Sequence, residues 1–158
     1  MSFPFVTFTF NYNSSILNSV VVGPQARKFF QVMTDPADPR FTIFQDVETN
    51  AAAYIEWQAH PVVEIRGIIA SQRVSQWLAL AANQTSRTMA VKGRYYSWVP
   101  GGDSICMYSS GSPAEMFAKI TRGDNTVKLE MTPQAIQAGL LEACVVSAFL
   151  LQCGRVID

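Results

Sequence analysis

Apolar and polar positions alternate along most of the chain up to Met131, with the period of two that marks strands buried on one face. Residues 3–10, where aromatic residues alternate with Thr, read as the first strand. Residues 16–22 and 28–33 read as the next two, broken by Gly23-Pro24. The Pro- and Asp-rich stretch 34–40 reads as a loop. Strands are expected at 41–46, 52–58 and 63–69. At 71–82 the spacing changes: Val74, Trp77, Leu78 and Ala81 recur as on a helix, so a short helix is expected there. Residues 85–91 and 94–99 form a hairpin around Lys92-Gly93. Strands at 105–108, 115–120 and 126–131 complete a set of about eleven or twelve.

From residue 131 to 154 the pattern is different. Thr132 suits a helix cap, Pro133 the first helical position, and Gly154 the residue past the end. Such a helix would be about 30 Å long. Between Ala143 and Leu151 only Ser147 is polar, so no face is reserved for water, and a helix apolar all round is buried on every side. The expected fold is therefore mainly β: a closed antiparallel barrel around a central apolar C-terminal helix, with one further short helix. Closing the sheet would remove its exposed edges. No linker, repeat or composition shift divides residues 1–158, which read as a single domain.

Two stretches carry a family resemblance. Residues 43–57 end in Ala-Tyr-Ile-Glu-Trp and are followed by Val63-Glu-Ile-Arg-Gly67. Residues 86–98 read Ser-Arg-Thr-Met-Ala-Val-Lys-Gly-Arg-Tyr-Tyr-Ser-Trp. Together they resemble an uncharacterised family abundant in mushroom-forming fungi, placed in the tubby C-terminal-like superfamily with the phospholipid scramblases and the LURP-one-related proteins. The resemblance covers roughly residues 15–156. It implies a barrel threaded by a terminal apolar helix, and it implies no catalytic residues. Val91-Lys92 stands where that family often has Ser-Asp or Asp-Gly at the hairpin turn, and it adds a positive charge.

Hydrophobic residues make up 49% of the 158 and charged residues 15%, which excludes a disordered chain. The formal net charge is zero, so nothing global draws the protein to nucleic acid. The apolar start lacks the basic residues of a secretion signal, and no leader is expected. Gln137, Gly139 and Glu142 interrupt the terminal helix, so no transmembrane segment is expected. Cys106, Cys144 and Cys153 are odd in number and show no paired spacing, which points to free thiols and an intracellular, cytoplasmic setting.

Chemistry-bearing motifs are sparse. His60 is the only histidine and precedes Pro61 in a turn, so any Ser-His or Cys-His pair would have to use it. There is no Cys-x-x-Cys and no Asp-rich calcium loop, and no metal or cofactor is expected. Gly101-Gly102 lacks the helix start and Lys of a phosphate loop, and Arg122-Gly-Asp124 reads as a polar turn. Trp57, Trp77 and Trp98 could form a ligand cage, although strand patterning favours packing.

One charge pattern stands out. Six acids (Asp35, Asp38, Asp46, Glu48, Glu56, Glu64) precede five bases (Arg66, Arg73, Arg87, Lys92, Arg94). Arg87, Lys92 and Arg94 flank one tight turn and are the candidate anion-binding residues. The plainer alternative is that Asp46, Glu48 or Glu56 neutralises them across the sheet. The function expected is a non-enzymatic intracellular binding module, its partner an unknown protein, with self-association as one form. The first alternative is a binder of anionic phospholipid or phosphoinositide headgroups, and the second is an enzyme with an unrecognised site.

Overall fold

The structure, a computed structural model, describes residues 5–111 and 113–158. The expected start of the first strand at Phe3 lies outside them. Among the described residues thirteen strands form one antiparallel sheet. They are β1 (Val6–Asn11), β2 (Ser19–Val22), β3 (Lys28–Asp35), β4 (Asp38–Gln45), β5 (Ala51–Glu56), β6 (Val62–Ile65), β7 (Ile69–Arg73), β8 (Ala79–Leu80), β9 (Arg87–Val91), β10 (Arg94–Gly101), β11 (Ser104–Ser109), β12 (Met116–Gly123) and β13 (Thr126–Met131). Three helices join them: α1 (Val74–Trp77), α2 (Pro133–Gln137) and α3 (Leu141–Gln152).

The strand order is β7-β6-β5-β4-β3-β2-β1-β13-β12-β11-β10-β9-β8. Neighbours in sequence pair as hairpins, and β1 joins the two halves by pairing with β13 from Val6↔Met131 to Asn11↔Thr126. The expected closed barrel is not formed. Its end strands β7 and β8 do not pair with each other, and the sheet is open between them.

The physical reason lies in residues 63–80. Gly67 takes φ +77° and turns the chain, so the single strand expected at 63–69 is a hairpin of β6 and β7. The helix expected at 71–82 shrinks to the one turn of α1, which buries Val74 and Trp77. That turn is the connection between β7 and β8 and packs against both. The loop expected at 34–40 also tightens, because β3 runs on to Asp35 and β4 begins at Asp38.

The long terminal helix is likewise two pieces. Thr132 caps α2, its Oγ1 accepting the Ala135 amide at 3.2 Å, with Pro133 in the first turn as its chemistry requires. Gly139 then adopts φ +76° and breaks the helix. What remains, α3, is about 18 Å long at 1.5 Å per residue. All its residues from Ala143 to Leu150 are buried.

α3 packs on the inner face of both halves of the sheet. Phe149 meets Phe44 of β4 edge to face at 5.2 Å. Ser147 Oγ accepts the Trp98 Nε1–H of β10 at 3.1 Å while its own hydroxyl donates to the Ala143 carbonyl at 2.7 Å. Cys144 Sγ lies 3.8 Å from Met107 Sδ of β11. The alternation of the strands fills the rest of this core with Phe10, Ile55, Met89, Ile120 and Leu129, all sealed from solvent.

Candidate functional site

β9 and β10 form a hairpin whose two turn residues, Lys92 and Gly93, both have positive φ (53° and 78°). This is the mirror-image turn whose twist matches paired strands. Its register pairs Arg94 with Val91 and Trp98 with Arg87. Arg87 follows the parity of buried Met89 and Val91, and Arg94 that of buried Tyr96 and Trp98, so the two arginines lie on the same face. They lie at opposite ends of it, however. Arg87 is four residues from the partner of Arg94, about 13 Å along the hairpin.

The structure therefore separates the three candidate residues. Arg87 is engaged within the fold: its Nη1 donates to the Leu78 carbonyl at 3.1 Å, and the guanidinium forks onto Asp158 at 2.7 and 2.8 Å. The bidentate carboxylate raises the Arg87 pKa, and the guanidinium holds the Asp158 carboxyl below its ordinary range. Lys92 and Arg94 remain together at the turn, both exposed, and neither forms an ion pair among the described residues.

Asp46, Glu48 and Glu56 do not neutralise the basic hairpin. At least six strands stand between β4 and β10 in the sheet order. Asp46 instead organises its own turn, accepting the Glu48 and Asn50 amides at 2.9 and 3.0 Å. The partner of Arg87 is Asp158, a pairing over 71 positions that no local pattern announces.

Arg94 lines an open groove of about 800 Å³, and Lys92 stands on the turn beside it, next to the lining residue Gly93. Its floor and walls include Arg94, Tyr95 and Tyr96 of β10, Phe117 of β12, and Gln134 and Gln137 of α2. Tyr96 and Phe117 stack at 5.8 Å on one side. The Lys92 ammonium reaches over to Gly139, so close that a β-carbon there would run into it. Among the described residues Glu115 is the only acid lining the groove. Arg94, two amides and an aromatic pair thus converge beside α2 with Lys92 next to them, a composition able to hold an anionic group and an adjoining apolar one.

The other sequence candidates are structural. His60 is exposed in the β5–β6 turn, and among the described residues it makes no hydrogen bond to a Ser or Cys. Cys144 is sealed in the core, where burial pushes its thiol well above the usual range, and Cys153 is raised for the same reason. All three thiols are free. The three tryptophans form no cage. Their indole N–H groups donate to Thr42 Oγ1, the Ala90 carbonyl and Ser147 Oγ, which ties each ring into the fold. Among the described residues no group of three or more His, Cys, Asp or Glu could hold a metal ion, and no helix is long and apolar enough to cross a membrane.

A second open groove, of about 640 Å³, lies at the other end of the sheet, between the end of β1 and the β12–β13 turn. The sequence reading passed over it, although its signal is visible in the run Asn11-Tyr12-Asn13 and in Asn18.

Fold and grooves define a mainly antiparallel β protein with open, polar clefts at the two ends of its sheet. A family model matches residues 14–155, and the chain belongs to that family, the Family of unknown function (DUF6593). No curated protein matches it. A solved X-ray structure of a protein from Arabidopsis thaliana is similar at 11% identity, with a TM-score of 0.48 and 91% of each chain covered.

Proposed function

We propose that the protein is a non-enzymatic binding module whose ligand presents an anionic group to the groove beside α2. The observation that carries this reading is the pair Lys92 and Arg94, exposed and without ion-pair partners among the described residues, with Arg94 lining and Lys92 adjoining a groove that also holds Tyr95, Tyr96, Gln134 and Gln137. A guanidinium offers a planar fork of donors and an ammonium a compact charge, so the two suit a phosphate or carboxylate together. Arg87, part of the sequence expectation, drops out of this site because Asp158 occupies it.

The test is an NMR titration with sodium tripolyphosphate. Amide shifts centred on residues 93–96 and 134–138, abolished in Lys92→Glu/Arg94→Glu, support the reading. Absence of shifts there, or equal shifts in the variant, sinks it.

A second reading is an anionic phospholipid surface. Tyr95 favours it, being 60% exposed next to the two cations at a hairpin end, where an amphipathic ring would sit at a membrane interface. Each cation would contribute about 1 kcal/mol near an anionic bilayer, so the pair would give weak, salt-sensitive binding. Sedimentation with phosphatidylserine vesicles at low and high salt, for the native chain and Tyr95→Ala, separates a surface from a soluble anion.

An intracellular, cytoplasmic setting belongs to this proposal and rests on the three free thiols. So does kinship with the tubby C-terminal-like superfamily and the fungal family within it. That kinship rests on the sequence motifs and on the apolar terminal helix packed against the sheet, and the closed barrel is no part of it.

A further inference from the structure

We infer that the second groove binds a neutral saccharide. Five segments build it: the end of β1, the connection to β2, the start of β2, the middle of β3 and the β12–β13 turn. The turn and the connection are tied to each other, because the Tyr12 amide donates to the Asn125 carbonyl at 3.2 Å. Five carboxamides converge there, from Asn11, Asn13, Asn18, Gln31 and Asn125.

Carboxamides suit vicinal hydroxyls because each side of the pair both donates and accepts. Two of the five have their polarity set by the fold. Asn18 Oδ1 accepts the Thr34 amide at 3.0 Å, and Gln31 Oε1 accepts the Lys28 ammonium at 2.9 Å. Each partner can only donate, so the oxygen ends are assigned and the NH2 ends are left as donors for a ligand. Asp124 supplies the complementary acceptor-only group. The Tyr12 ring, half-buried against the core, provides an apolar wall for the C–H face of a sugar ring.

Charge and topology exclude the main competitors. Among the described residues no Lys, Arg or His lines this groove; Lys28, which reaches the lining residue Gln31, is held by its Oε1, and Asp124 adds a negative charge that disfavours a phosphate or a nucleic acid. An extended peptide would need an open strand edge, whereas β1, β2, β3, β12 and β13 are each paired on both sides. The groove is of ligand size, and its openness to solvent suits an oligosaccharide chain better than an enclosed metabolite.

The experiment is a titration of the isotope-labelled chain with cellotetraose, laminaritetraose, maltotetraose and chitotetraose, with sorbitol as the solvent control. At least one of the four is expected to shift the side-chain NH2 signals of Asn11, Asn13, Asn18 and Gln31 and the Asn125 amide, leaving residues 93–96 unmoved. Asn13→Ala/Asp124→Ala changes two exposed turn residues, so it keeps the fold, and it should weaken binding at least about tenfold. The inference is overturned if no tetrasaccharide moves those signals, if sorbitol moves them equally, or if the double variant binds unchanged. Tripolyphosphate titrates the other groove, so failure here and failure of the anion site are read separately.

Discussion

Arg87 shows how a single side chain can be spent on the fold. Its side chain is 14% exposed, while that of Asp158 is 48% exposed, so solvent screens the pair and limits it to about 0–1 kcal/mol. The Asp158 pKa is lowered, first by the hydrogen bonds from Arg87 and then by its charge, with partial burial opposing. A depressed carboxylate contributes its stability above its unfolded value of about 3.9 and loses it as pH falls through the lower folded value. Arg87→Gln is therefore expected to melt slightly below the native chain at neutral pH, with the gap narrowing in acid. Calorimetry across a pH series checks this. A gap independent of pH would assign the effect to the lost Leu78 hydrogen bond instead.

At the scale of elements, the break between α2 and α3 decides the geometry of the groove. Gly139 stands at φ +76°, a region that costs an L-residue with a side chain about 1–2 kcal/mol. Its missing β-carbon is also where the Lys92 ammonium rests. Gly139→Ala is expected to lower the unfolding free energy by an amount in that range, read as a lower urea midpoint with an unchanged slope, and to alter the tripolyphosphate response by displacing Lys92. A midpoint equal to that of the native chain would show that the connection relaxes freely. The α2 cap, by contrast, is local chemistry: Thr132, Pro133 and the Ala135 amide complete it within one turn.

Across the whole molecule, the open seam between β7 and β8 is the weak point. β8 is two residues long, and β7 exposes Ala70, Ser71 and Arg73, a polar edge that resists pairing with other chains. α1 bridges the seam by burying Trp77, whose Nε1–H donates to the Ala90 carbonyl of β9 at 3.2 Å. The segment after α3 touches both halves of the sheet, with the Arg155 guanidinium 4.8 Å above the Trp57 ring and Asp158 on Arg87. Trp77→Ala is expected to cost about 3–5 kcal/mol. Hydrogen exchange should show β7 and β8 losing protection before β12 and β13 do. Loss at a uniform rate across all strands would mean that the seam is no separate unit of unfolding.

The period-two alternation was enough to identify most strands, because each inward residue meets the core whatever its neighbours are. The run 143–150, apolar but for Ser147, likewise dictated a buried helix, since no register of such a helix offers water a polar face. The Thr132-Pro133 start was legible for the same local reason. Tertiary structure alone decided the rest. Helical spacing in Val74, Trp77 and Leu78 could not say that the helix would last one turn and leave the sheet open, because that depends on which strands it lies between. Nearness in sequence grouped Arg87 with Lys92 and Arg94, but strand register placed it at the far end and gave it to Asp158. The amide groove draws on residues from 11 to 126, and only the β1–β13 pairing brings those ends of the chain together.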